Sequence, residues 1–349
     1  MKLFEYINEQ EFNDMINLNY IKVTSHPTFN NYRIISYTRE CNALKVWNDT
    51  TIKCRGLIID PNDNIIAKPF KKFYNYEEYV DTSIIPTNLS FDVFEKLDGS
   101  LGILYWVNDI PYIATKGSFN SEQAIHATEL LHTKYKNVWN SIDKDKTYLF
   151  EIIYPGDLHC CSYGTLDDIF LLAVIDTNND NIEYDINDYK HLFTTTKVYD
   201  GISDWKNIRD IFSGDNREGF VVKFENNFRL KLKYEQYWKI HFLKAGFNAN
   251  KILDCLINND NDTIDKAFEL FDEEHIIYYQ RIIDFYKNEY SNIIDKCIEE
   301  FRTDFETKKD AAIYFKTCKY PHVLFAMYNK KDYSRVIWDI IKKYSKFDS

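Results

Sequence analysis

No run of apolar residues in this 349-residue chain approaches the length of a membrane span, and the amino-terminal MKLFEYINEQEF has neither a signal peptide's apolar core nor its small-residue cleavage site. The expectation is a cytoplasmic protein, or one of the host cytoplasm if the source is viral, with no membrane partner. Paired cysteines are lacking too. The seven cysteines include no CxxC, and Cys160 and Cys161 are adjacent, which speaks against a disulfide framework or a zinc site and fits a reducing compartment. Positive charge is in deficit: 43 Lys and Arg face 54 Asp and Glu, a net charge of −11. Such a balance argues against nonspecific coating of nucleic acid but leaves room for a local basic cleft. No internal repeat or low-complexity stretch stands out, and no His-rich metal site or Ser/His/Asp arrangement. GDNREG and LDGSLG lack the Lys-Ser/Thr that follows a phosphate-binding loop.

What is present is an ordinary globular composition, 45% hydrophobic and 28% charged. The 27 Tyr and 25 Phe are read mainly as core. Up to about residue 243, short apolar runs alternate with turn signals, as in RGLIIDPNDNIIAKPF and EGFVVKFENNFRLKLK. Asp60–Asn64 and Asp176–Asn181 read as hairpin turns in antiparallel sheets, and Ser121 to Trp139 as a helix. Beyond that the strand signals vanish. Residues 249–349 read as consecutive helices, with Ile252, Leu253 and Leu256, then Phe268, Leu270 and Phe271, then Ile277, Ile282, Ile283 and Phe285 near helical spacing. Asp332 is expected to cap the last helix. The predicted fold class is therefore α+β, residues 1–243 forming one domain and residues 244–349 an all-α second domain.

The chemistry centres on Glu95-Lys96-Leu97-Asp98-Gly99-Ser100. Lys-x-Asp-Gly alone arises by chance in roughly one chain in ten of this length, so its company decides. Upstream stand Lys53-Cys54-Arg55-Gly56 and Lys68-Pro69-Phe70-Lys71-Lys72-Phe73-Tyr74-Asn75. Downstream come Thr115-Lys116-Gly117-Ser118, Phe150-Glu151-Ile152-Ile153-Tyr154-Pro155, Arg217-Glu218-Gly219-Phe220-Val221-Val222-Lys223 and Arg229-Leu230-Lys231-Leu232-Lys233. If the last is a strand, Lys231 and Lys233 share one face while Leu230 and Leu232 pack on the other.

The Lys96 element and these six companion motifs, in this order, resemble the covalent nucleotidyltransferase superfamily, and most nearly the phage T4-type single-strand RNA ligases that repair broken tRNA. The resemblance is specific between Arg55 and Lys233. It extends less diagnostically to HVLFAMYNKKDYSRVIWDIIKK. It implies a nucleotidyltransferase core of antiparallel-rich sheets and flanking helices, and ATP with Mg2+ (or Mn2+) as cofactors. It also implies a three-step reaction: Lys96 takes AMP from ATP, the AMP passes to an RNA 5′-phosphate, and a 3′-hydroxyl then attacks to join the ends. The absence of strand signals after the core separates the chain from DNA ligases and capping enzymes, which append a β-barrel.

By motif position, Lys96, Lys231 and Lys233 are the catalytic candidates. Glu95, Asp98, Gly99, Arg55, Lys72, Lys116, Glu151 and Glu218 join them around the nucleotide: Glu151 at the ribose hydroxyls, Arg55 at the ribose or the acceptor phosphate, Lys72 and Lys116 at phosphates. Glu218 and Asp98 are the metal candidates, Asp98 alternatively orienting Lys96. Phe220 or Val221 would lie against adenine, a core role being equally open. A free lysine has a pKa of about 10.4, so a neutral amine at neutral pH costs roughly 4–5 kcal/mol. Crowding by Lys231, Lys233, Arg55 and a metal is expected to lower that cost. The His159-Cys160-Cys161 stretch departs from the more polar run of family members, and no RNA contact is assigned to it. The partner implied is RNA with 5′-phosphate and 3′-hydroxyl ends, including broken tRNA, met by a monomer whose helical domain, acidic over 254–310 but locally basic after about residue 315, recognises it. The rivals are a GTP-dependent capping-type guanylyltransferase and a catalytically silent RNA-binding homologue.

Overall fold

All the named strands fall in the first part of the chain, with helices interspersed, and the described elements after it are helices. The computed structural model describes all residues except 158, 180–181, 238–239, 241–245, 269–272, 346 and 348–349, and leaves the side chains of 273–278 undescribed. Leu270, Phe271, the end of the Asp176–Asn181 turn and the side chain of Ile277 therefore lie outside the described residues. The chain forms two compact units, Met1–Trp238 and Lys239–Ser349, against the boundary expected near residue 243.

The first unit is built from three sheets. An antiparallel meander of Ile21–Ser25, Arg33–Tyr37, Arg55–Ile59 and Ile65–Ala67 is the first. The second sheet runs in the order Glu183–Tyr184, Asp168–Asp176, Lys146–Ile153, Ser100–Val107, Ile110–Ala114, and the third Val198–Tyr199, Phe91–Lys96, Gly219–Phe224, Arg229–Lys233, Tyr74–Asn75. Among the described strand pairs, the final pair of the third sheet alone is parallel. The second sheet is covered on both faces, which is why Lys146–Ile153 reads as an almost unbroken buried run. Tyr148, Phe150 and Ile152 pack in a cluster with Ala127 and Leu131 of the helix Glu122–His132. Leu149, on the other face, meets Ile34, Ile58 and Ala67 of the meander. Glu151 shares that face by strand alternation.

The helix expected over Ser121 to Trp139 is shorter. Ser121 caps it by accepting from the Ala124 N–H, it ends at His132, and a 3-10 segment, Lys136–Ser141, follows. Asp60 accepts from the backbone N–H groups of Asn62 and Asn64 and closes the first predicted hairpin. The hairpin joining Gly219–Phe224 to Arg229–Lys233 closes with Asn227 at φ +62°, a left-handed position that asparagine tolerates.

The second unit contains the helices Ala249–Asn258, Asn261–Phe268, Glu273–Glu300, Lys308–Phe315, Pro321–Tyr328 and Ser334–Tyr344, with no strand among its described residues. They share one core that includes Ile252, Leu253, Ile282, Ile283, Phe315, Leu324, Ile337 and Ile341. The last helix begins later than expected: its N-cap is Tyr333, and Asp332 accepts from the Ser334 N–H one position upstream.

Candidate active site

The third sheet arranges its functional side chains by register. Gly219 pairs with Lys96 on one side and Lys233 on the other; Val221 pairs with Phe94 and Lys231; Lys223 pairs with Asp92 and Arg229. The alternation expected for the last strand holds, with Leu230 and Leu232 fully buried behind it. Three rows result: two lysines across a bare glycine, then Phe94, Val221 and Lys231, then Lys223 and Arg229. Gly219 lies at φ +149°, where a Cβ would fall 2.0 Å from the Leu232 carbonyl oxygen. The middle of the first row must therefore stay bare.

Glu218 joins the ends of that row. Its Oε2 accepts from Lys96 Nζ and its Oε1 from Lys233 Nζ, each at 2.6 Å, and its side chain is only 3% exposed. Burial alone would raise its carboxyl pKa, but the two ammonium groups hold it below the ordinary value. Glu218 is therefore a buried ion-pair partner and not a solvated turn residue. Glu151 faces the same amine from the second sheet and accepts from the Gly99 N–H at 2.9 Å. A Cβ on Gly99 would meet the Ile152 carbonyl oxygen at 2.5 Å and the Glu151 side chain at 2.8 Å, so glycine is what lets the Lys-x-Asp-Gly turn close on this carboxylate.

The electrostatics correct one expectation. Burial disfavours the Lys96 ammonium, but Glu218, Glu151 and Asp98 overcome it and raise the pKa. Crowding by cations falls instead on Lys231, whose pKa lies well below the usual lysine value because it is buried and faces Arg55, Lys96, Lys72 and Lys233. Carboxylates outweigh cations at Lys96 because Glu218 bonds it directly.

Asp98 is held by the protein itself. It lies close enough to favour the Lys96 ammonium, but its Oδ2 accepts from the Cys160 and Cys161 N–H groups and its Oδ1 from the Tyr237 hydroxyl. Its own N–H donates to Tyr163 Oη at 2.7 Å. Protein donors thus hold both oxygens of the carboxylate. The segment that departed from the family pattern is thus the brace of the motif. Tyr163 and Tyr237 carried no signal in the sequence beyond their abundance.

Arg55, Lys231, Glu95, Gly99 and Glu151 line the same cleft as Lys96. Arg55 Nη1 is buried with no hydrogen-bond partner among the described residues, an orphaned donor suited to an anion. The Glu95 side chain turns toward Arg217, 3.9 Å away, while its carbonyl accepts from Thr196. Lys72 and Lys116 stand beside the cleft over aromatic rings, Lys72 near Trp47 and Tyr74 and Lys116 4.0 Å from the Tyr37 centroid. Burial and Arg55 push Lys116 down to about 8. Val221 lines the cleft, whereas Phe220 is fully buried in the core, which decides between the two.

Burial pushes the Glu151 carboxyl up to about 7, Lys96 opposing and Glu218 reinforcing. The folded protein therefore keeps a proton that the unfolded chain sheds near 4.5. That contribution to stability is full below this lower value and is lost as pH rises through about 7. Urea unfolding across this range is expected to show a loss of up to about 3 kcal/mol, and Glu151→Gln to remove it. An equal pH slope in the variant would exclude this carboxyl as the source.

Among the described residues no three His, Cys, Asp or Glu side chains converge as a metal cage. Glu218 and Glu151 are the two carboxylates that act most strongly on the Lys96 ammonium. One or two carboxylates, with phosphate oxygens and water, suit an octahedral Mg2+.

An RNA ligase family model of the T4 type matches residues 53–238. A protein of Autographa californica nuclear polyhedrosis virus, described as a bifunctional polynucleotide kinase/RNA ligase, is 23% identical over 241 residues, 60% of this chain and 34% of that protein. The match thus spans about a third of the relative's length. Among solved structures, an RNA ligase from Naegleria gruberi with ATP and Mn aligns over 50% of this chain and 59% of its own, at 15% identity and TM-score 0.40. A protein from Aquifex aeolicus described as an ATP-dependent DNA ligase aligns over 88% and 86%, at 14% identity and TM-score 0.48.

Proposed function

The chain belongs to the RNA ligase family, and from that premise we propose that it is an ATP-dependent RNA ligase working through an adenylate on Lys96. The observation that carries this reading is the first row of the sheet: one amine, flanked by a bare glycine and a second lysine, both amines held by one buried glutamate.

In the first step Lys96 Nζ attacks the α-phosphorus of ATP; a P–N bond forms, the bond to pyrophosphate breaks, and the amine gives up its proton. Lys231 and Arg55, cations with depressed basicity or an orphaned donor, gain most from the incoming phosphates. A divalent cation, held by Glu218 and Glu151, would supply positive charge that competes with Lys96 for the carboxylates and favours its neutral form. The RNA 5′-phosphate then attacks the same phosphorus and the amine leaves. A 3′-hydroxyl finally displaces AMP, with positioning and charge stabilisation doing most of the catalysis.

The helical unit is assigned to RNA recognition. Lys316, Lys319, Lys330, Lys331, Arg335, Lys342 and Lys343 lie in or between its last three helices, and Lys346 lies outside the described residues. Contacts from such groups would hold phosphates without reading sequence. Broken tRNA and a repair role belong to this proposal, as does a monomeric state.

Incubation with ATP and Mg2+ followed by intact-mass measurement is expected to show one covalently bound AMP per chain, and addition of nicked RNA with 5′-phosphate and 3′-hydroxyl ends to give a sealed product. Labelling by GTP alone would move the assignment to a capping-type reaction. No adduct with either nucleotide would leave the catalytically silent homologue.

A further inference from the structure

The third row of the sheet has no part in the chemistry described, yet it closes the same cleft. Arg229 and Lys223 face Glu183, which arrives from the edge strand of the second sheet: Lys223 Nζ lies 3.1 Å from Glu183 Oε1, and Arg229 Nη2 bonds Glu183 Oε2. The Glu183 side chain is 7% exposed and that of Arg229 10%. The guanidinium lies 4.6 Å from the centroid of Phe70. Glu183, Arg229, Phe70 and Val221 all line the cleft that holds Lys96.

Four residues along one strand separate Lys233 in the reactive row from Arg229, about 13 Å at about 3.4 Å per residue. A nucleotide with its α-phosphorus at Lys96 would thus lay its base over Phe94 and Val221 in the middle row. The edge of the base remote from the ribose would then point toward Glu183 and Arg229. We propose that this pair reads that edge and makes the cleft select adenine: Glu183 accepts from the N6 amino group and Arg229 donates to N1. A carboxylate has about four acceptor sites, so engagement with Arg229 and Lys223 leaves capacity for the amino group. Guanine reverses both partners, placing the O6 acceptor opposite the carboxylate and the N1–H donor opposite the guanidinium. The site is a specificity device, outside the reacting atoms, and it rests on the adenylylation reading above.

The test compares adduct formation by the wild-type protein with ATP, GTP and purine riboside triphosphate, which is ATP without the amino group. Both alternatives are expected to react at least about tenfold less efficiently than ATP, the usual effect of losing a hydrogen bond to a charged group. Glu183→Gln, which can turn an amide donor toward O6, is expected to shift the ATP/GTP ratio about tenfold toward GTP. Wild-type protein that uses purine riboside triphosphate as well as ATP would overturn the proposal. So would a Glu183→Gln variant that loses ATP and GTP labelling by one common factor, since a pair that only braces the two sheets behaves in that way. If Glu183→Gln fails to fold, the analogue series on the wild type decides alone. Absence of any adduct with all three nucleotides would remove the ligase reading together with this one, whereas an ATP adduct without discrimination would remove this one only.

Discussion

Alanine in place of Lys96 is expected to abolish the AMP adduct, a fall of about 10⁴-fold or more, as for removal of other covalent nucleophiles. The prediction is sharper than a generic loss of activity because the cleft holds a competitor. Lys231 has the depressed basicity, whereas that of Lys96 is raised, and a buried lysine of lowered pKa is a candidate nucleophile in its own right. Position separates them. Lys96 sits in the row kept bare by Gly219 and beside the close approach at Gly99, while Lys231 stands one row behind, its amine 4.7 Å from the Phe73 centroid. Lys231→Ala is therefore expected to slow adenylylation but leave the adduct on Lys96. Peptide mapping of the adenylate checks both: an adduct that survives Lys96→Ala and disappears in Lys231→Ala would transfer the nucleophile to Lys231.

Glu218→Ala is expected to destabilise the first unit by about 3–5 kcal/mol, because it removes the buried carboxylate that bonds two ammonium groups directly. For a unit of this size that corresponds to a fall in Tm of roughly 10 °C, measurable by calorimetry without nucleotide. The effect has a pH signature. The folded-state pKa of Glu218 is lowered from 4.5, since Lys96 and Lys233 outweigh burial. Its contribution is thus present above 4.5 and lost as pH falls through the lower folded value. Glu218→Gln is expected to flatten the acid side of the stability profile, opposite in sense to the Glu151 effect. A variant as stable as the parent at neutral pH would show that the pair is solvated in solution.

The elements that could be read in advance are those whose information is periodic. Alternation in Arg229-Leu230-Lys231-Leu232-Lys233 places both lysines on the cleft face, and three-to-four spacing announces the helices of the second unit. The family motifs lead to Lys96, Glu151, Glu218 and Arg55 in one cleft. Charge environments were not legible, because they depend on which oppositely charged group is nearest in space. Lys96 is 122 residues from Glu218, the carboxylate that bonds it, so the expectation of a cation-crowded amine fitted Lys231 instead. The bracing of Asp98 was not legible for a related reason: its partners are backbone N–H groups and tyrosine hydroxyls from 62 to 139 residues away, and neither type stands out in a tyrosine-rich chain. Glu183 and Lys223 were invisible until the two sheets were seen to meet.

The short turn between Phe224 and Arg229 acts as a spacer gauge for the whole centre. Phe224 N–H donates to Phe228, and Asn227 takes the left-handed position that lets three residues make the reversal. Side chains alternate along a strand, so one residue added there would turn Lys231 and Lys233 away and bring Leu230 and Leu232 into their place. Homologous chains are thus expected to vary this reversal by substitution and almost never by length, whereas the exposed loops of the helical unit are under no such restriction.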